Sequence, residues 1–193
     1  METLYKLTGP KGEPVHGGSG TWSLPRGKRP GTWRQVEGSL RPCENGLHLL
    51  RATDIRQWMR AGILWEVEAG TEQIDHGDKV VVRRARLIRK AATLDDKTLR
   101  LLAADFAEHV LPIFEKKRPG DMRPREAIAA ARAFARGEIG AGELQEKRAA
   151  AYAAAAAAYA AADAAYAAAD AADAARKAER EWQNRRIIEV LGL

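Results

Sequence analysis

Residues 149–175 read AAAYAAAAAAYAAADAAYAAADAADAA. Alanine fills 21 of these 27 positions, and the others are Tyr152, Tyr159, Asp163, Tyr166, Asp170 and Asp173. Alanine has the highest intrinsic helix propensity, and no Gly or Pro interrupts the chain from Glu143 to Leu191, so helix is the only local state this stretch supports. The tyrosines recur every seven residues, close to two helical turns, which aligns the three rings along one stripe. Methyl groups bury little area, so such a helix needs a partner packed close to its backbone, and the rings would supply much of the contact. Two readings follow: a tightly packed intramolecular helix, or a recognition surface in which Tyr152, Tyr159 and Tyr166 are flanked by Asp163 and Asp170. The regular threonines of a freezing-point-depressing helix are absent. Unbroken from Glu143 to Leu191, the helix would run ~70 Å, longer than a compact domain of this size, so a break at an aspartate N-cap is expected.

Working outward, residues 93–142 share the helical texture. Leu99, Leu102, Phe106, Val110 and Ile113 follow an amphipathic spacing behind Asp95 and Asp96. That helix is expected to stop before Lys116-Lys117-Arg118-Pro119-Gly120. Pro124 then opens a second helix, carried by Ala127, Ile128, Ala131 and Phe134 to Gly137. Trp182, Ile187, Ile188 and Leu191 supply a last apolar face.

Before residue 92 the pattern is that of strands and turns. Leu4–Leu7 and Ile63–Val67 read as strands, and Thr53 or Asp54 caps a short helix carrying Ile55, Trp58 and Met59. Asn45-Gly46 is a turn signal within Cys43-Glu44-Asn45-Gly46-Leu47-His48, because both residues tolerate positive φ. Lys79–Arg89 reads as one further strand with arginine on both faces toward its end, the mark of an exposed sheet edge. The fold class is therefore α+β: a small mixed β-sheet module over residues 1–91, followed by an alanine-rich helical bundle over residues 92–193.

The chain carries a net charge of +6 and has a pI near 9.6, which suits an acidic partner, although 26 acidic residues are interspersed. A single cysteine, Cys43, excludes an internal disulfide and fits a reducing compartment. Met1–Pro10 lacks the pattern of a secretory signal, and the longest apolar run is too short and too weakly apolar to span a bilayer. The expectation is a soluble cytoplasmic protein with no membrane contact.

The helical half resembles a family of immunity-protein-like helical domains found in bacteria and phages. The resemblance rests on Leu102-Ala103-Ala104-Asp105-Phe106-Ala107-Glu108-His109-Val110-Leu111-Pro112-Ile113-Phe114-Glu115, on Arg123-Pro124-Arg125-Glu126-Ala127-Ile128, and on the alanine-rich helix. It implies neutralisation of a protein target by binding. The N-terminal half looks like a second module of phage and bacterial proteins, through Cys43 to His48, Ile63-Leu64-Trp65-Glu66-Val67 and His76-Gly77-Asp78-Lys79-Val80.

Candidate site residues follow. Asp105, Glu108, Asp121, Arg123 and Arg125 could form a polar network at the joint between the two helices. With Tyr152, Tyr159 and Tyr166 they are the expected binding residues for a protein target. A nucleic-acid alternative uses the basic strand residues Arg83, Arg84 and Arg86 with the loop residues Arg26, Lys28 and Arg29 near Trp22 and Trp33, where base stacking and phosphate neutralisation would meet. A second alternative, an ADP-ribosyltransferase-like enzyme around His48, rests on a faint likeness of Gly46-Leu47-His48. One cysteine and no repeated paired-ligand spacing argue against a zinc site, and no cofactor is expected. Alanine-rich helices also pack between chains, which allows a homodimer. The expectation is a non-enzymatic binding protein that neutralises or sequesters a macromolecule.

Overall fold

The computed structural model describes residues 2–149 and 169–193, together with the backbone alone for 169–172 among the latter. The α+β architecture is present. Seven strands come first: β1 Leu4–Thr8, β2 Arg34–Gln35, β3 Leu47–Leu49, β4 Gly62–Ala69, β5 Gln73–Asp75, β6 Val80–Val82 and β7 Arg84–Leu94. A 3-10 helix, Ala52–Trp58, lies between β3 and β4. The helices are α1 Asp96–Lys117, α2 Arg123–Arg136, α3 covering the helical residues 141–149, and α4 Ala169–Leu191. The chain divides into two compact units, Met1–Asp95 with Gln183–Leu193, and Asp96–Trp182.

In the first unit the strands form two sheets, ordered β1-β4-β7-β2 and β3-β6-β5, and every pairing is antiparallel. The stretch Lys79–Arg89, expected as one strand, is two. Val80–Val82 pairs with β3 and β5, and after Arg83 the chain joins β4 and β2 instead. The three valines are buried on both faces, which a single half-exposed strand would not allow. A core of Trp22, Leu47, Leu49, Trp65, Val80, Val82, Ala85 and Leu87 fills the unit. The Trp65 indole N–H donates to Thr8 Oγ1 at 3.0 Å, satisfying the one polar group that this ring brings inside.

The turn before β3 differs from the expected one. Glu44 N–H donates to the Arg41 carbonyl at 3.1 Å across Pro42-Cys43, and the positive φ falls on Cys43 (67°) rather than on Asn45. Pro42 presets the first turn position and Cys43 takes the second, which glycine usually holds. Gly46 has the positive φ expected of it (152°), and a Cβ there would also stand 2.2 Å from Val81 Cγ1.

In the second unit α1 packs on α2. Pro124 sits in the first turn of α2, and Gly137 (φ 78°) ends it, with Gly137 and Glu138 N–H groups donating to the Phe134 and Ala133 carbonyls. The buried positions of α1 are Leu102, Ala104 and Leu111. Val110 and Ile113, expected on that face, are 38% and 63% exposed. Asp170 and Asp173 fall within the described part of α4, while Asp163 and the stretch 150–168 in which a break was expected lie outside the described residues.

Candidate functional site

The polar residues expected at the α1–α2 joint fall into three separate groups. Asp105 and Glu108, one helical turn apart on α1, both receive Arg132 of α2: Nη2 donates to Asp105 Oδ1 at 2.7 Å, and Nη1 and Nη2 donate to the two Glu108 oxygens at 2.9 and 2.7 Å. Arg132 holds the Glu108 carboxyl below its ordinary range, and the two acids raise the Arg132 guanidinium in return. Asp121 and Arg123 form a local pair at the start of α2 (2.7 Å), where the guanidinium lowers the Asp121 carboxyl. Arg125 reaches across to Glu115 near the end of α1 (2.7 Å). Arg132 was not singled out from sequence. The available signal was the facing pair Asp105 and Glu108, whose charges require a cation from a neighbouring element.

The second unit also carries two apolar features. Ile113 and Met122 are exposed by 63% and 50%, near Glu115 and Asp121 in the chain. Elsewhere in the unit a cavity of about 710 Å³ is lined by residues of α1, α2 and α3, among them Leu99, Ala107, Leu111, Phe114, Ile128 and Leu144. His109 stacks on Trp182, and Phe106 meets the same indole edge-on at 6.3 Å. The tyrosines Tyr152, Tyr159 and Tyr166 lie outside the described residues.

Of the six basic residues of the nucleic-acid alternative, Arg83 and Arg86 are paired with acids, Glu72 and Glu68. Register places Glu66 opposite Arg89 in β4 and β7, with Glu68 opposite Arg86, so each pair meets directly across the strands. Arg83 holds Glu72 in a two-pronged pair and also donates to the Val36 and Gly38 carbonyls at 3.1 and 2.7 Å. Arg84 instead lies over Trp33, its Cζ 4.0 Å from the ring centroid, with Arg86 at 4.7 Å. Arg26 and Arg29 bracket a tight turn through Gly27-Lys28, and all three cations are exposed. Trp22 is buried, so it offers no stacking face to a base.

His48 sits in β3, and its Nε2 accepts the Cys43 N–H at 3.2 Å. Burial, followed by repulsion from Lys6 and Lys79, lowers its pKa and keeps the ring neutral. With Nε2 occupied by a backbone donor, that nitrogen is not free to take a proton from the Cys43 thiol. Among the described residues no three His, Cys, Asp or Glu side chains converge as a metal site. No helix among them is long and apolar enough to cross a membrane.

The α1–α2 pair with its ion-paired joint belongs to the stretch where a known family is found. Residues 89–176 match the family model of the Imm-5 like putative immunity protein. The Imm-5 like match takes in the last part of β7, all of α1 and α2, and the helical residues 141–149. It leaves the two-sheet unit largely outside. No curated protein and no solved structure matches the chain.

Proposed function

We propose that the protein acts by binding, not catalysis, and that its helical part blocks a protein target in the manner of an immunity protein. The match of residues 89–176 to the Imm-5 like family carries this reading. The surface proposed for the target is the α1–α2 joint, where exposed Ile113 and Met122 lie within two residues, in sequence, of Glu115 and of the Asp121–Arg123 pair. An apolar centre with a charged rim is the usual composition of a protein interface. Asp105 and Glu108, tied down by Arg132, hold α1 and α2 in register beneath that surface. Tyr152, Tyr159 and Tyr166 are proposed as further contacts.

The test is capture from bacterial lysate by the full chain, with nuclease-treated and untreated halves compared, alongside Ile113→Asp and Arg125→Glu. One protein recovered in stoichiometric amount from both halves, and lost with either variant, is the expected result. Recovery only in the untreated half would move the function to nucleic acid and to Arg84 with Trp33. Capture indifferent to both variants would remove the joint from the interface.

A further inference from the structure

In the first unit a cavity of about 230 Å³ is lined by Lys6, Leu7, Pro14, Val15, His16, Gly17, Cys43, His48, Leu50, Trp58 and Lys79. Its only charged lining groups are two lysines, and no carboxylate lines it. The Lys6 ammonium donates to the His48 carbonyl at 2.9 Å and lies 5.6 Å from the centroid of the Trp22 ring. Among the described residues no carboxylate pairs with it. Lys79 is buried, with its ammonium 4.6 Å from the Trp58 ring centroid and 3.3 Å from Asp78 Oδ1.

Both histidines are uncharged. Burial lowers the pKa of His16 and of His48, and each ring has one nitrogen engaged: His16 Nε2 with the Trp58 carbonyl at 2.7 Å, and His48 Nε2 with the Cys43 N–H. The two ammonium groups both act on His48, so their fields overlap in the cavity. Two cations lining one cavity, of which Lys79 alone has an acid beside it, repel each other and are costly to desolvate. An apolar residue at position 6 would spare that cost. Retaining lysine there makes physical sense where an anion arrives to complete the site.

We propose that this cavity binds a phosphate group, as free phosphate or pyrophosphate or as the phosphoryl end of a small phosphorylated molecule. A group carrying more than one negative charge answers two ammonium groups, and each ammonium keeps N–H donors for its oxygens. The volume, about 230 Å³, lies below the roughly 300–1,000 Å³ of cavities that enclose drug-sized ligands, so a headgroup enters and the remainder of a larger ligand stays outside. The Trp58 ring face is taken by Lys79, and His16 meets the same ring at 81°, so the indole serves as a wall and not as a stacking platform.

The probes are inorganic phosphate, inorganic pyrophosphate and AMP, titrated calorimetrically into the full chain. The rate at which a thiol reagent modifies Cys43 gives a second readout, because Cys43 lines the cavity and is the chain's single cysteine. The expected result is saturable binding of at least one probe together with slowed modification of Cys43. Lys6→Met and Lys79→Met should each weaken binding about tenfold or more, while Arg89→Met, which breaks an ion pair outside the cavity, leaves it unchanged. Tighter binding of AMP would identify a phosphorylated metabolite as the source, and tighter binding of the inorganic probes a free anion. Absence of saturable binding, an unchanged Cys43 rate, or equal weakening by Arg89→Met would overturn the proposal. If Lys79→Met fails to fold, Lys6→Met and the Cys43 rate in the unaltered chain still decide it.

Discussion

The imidazole of His109 lies flat against the indole of Trp182, with ring centroids 3.6 Å apart and planes 10° from parallel. Its Nδ1 stands 2.6 Å from Glu179 Oε2, so a ring N–H donates to the carboxylate and the orientation of the ring is fixed from two sides. Phe106 adds an edge contact to the same indole. Trp182→Ala should therefore destabilise the second unit by about 2–3 kcal/mol, below the range for a fully buried tryptophan because this one is half-buried. Urea unfolding followed by circular dichroism would measure it, and a loss under about 0.5 kcal/mol would show that the stack is not maintained in solution.

Arg132 makes three hydrogen bonds to two acids. Lysine at this position keeps the charge but cannot span both carboxylates with a planar fork. Arg132→Lys should cost about 1 kcal/mol and Arg132→Ala about 1–3 kcal/mol, since the latter removes the cation that both Asp105 and Glu108 receive. Because Glu108 titrates below its ordinary value when folded, its contribution is present above that value and fades as pH falls through the lowered one. Acid unfolding of Arg132→Ala should accordingly show a shallower dependence on pH than the unaltered chain.

Lys6 makes stability rise with pH as Glu108 does, but at higher pH and through the relief of a penalty. Burial, with Arg34 second, lowers its pKa from 10.5 to about 8. Between those values the unfolded chain binds more protons than the folded one, so stability rises with pH from about 8 to about 10.5, while below about 8 the penalty is present in full. Lys6→Met should stabilise the protein by about 1–2 kcal/mol at pH 7 and flatten that rise. Denaturant melts at pH 7 and pH 10 would check both, and a destabilised variant at pH 7 would contradict the assignment.

Cys43 holds a φ of 67° without being glycine. Left-handed backbone costs a side-chain-bearing residue about 1–2 kcal/mol, offset in part by the greater freedom glycine has when unfolded. Cys43→Gly should raise stability by about 0.5 kcal/mol, read as an upward shift in the thermal midpoint, whereas Gly46→Ala should lower it sharply because of Val81.

The parts of the fold legible in sequence were those set by local chemistry. Alanine density marked helix in the part of its stretch that is described, 169–175, Pro124 and Gly137 bounded α2, and Leu4–Leu7 was read as the strand β1. What escaped depends on residues far apart in the chain. Nothing local separates Arg83 from Arg84 or Arg86, and only the partners Glu72, Val36 and Gly38 show that the strand breaks there. Positive φ is found at Gly46 as expected and at Cys43 instead of Asn45, because Pro42 opens a turn three residues before the Asn45-Gly46 pair. Val110 and Leu111 are adjacent, and periodicity alone favoured the one that is more exposed. The expected network at the α1–α2 joint lacked its central cation, Arg132, since a helical arginine resembles any solvated one until the facing acids are placed. Lys6 and Lys79 meet around one cavity although 73 positions separate them, and no motif announces such a pair.

Arg83 is the single residue between β6 and β7, so the two sheets share one continuous backbone with no slack between them. Its own N–H and C=O are committed to Glu72 and Val36, and its guanidinium ties down the same two flanking loops. A loop of several residues would let one sheet open while the other stayed shut. Here a tug on β6 is passed to β7 within one peptide unit, and amide hydrogen exchange across both sheets should follow a common opening free energy instead of two.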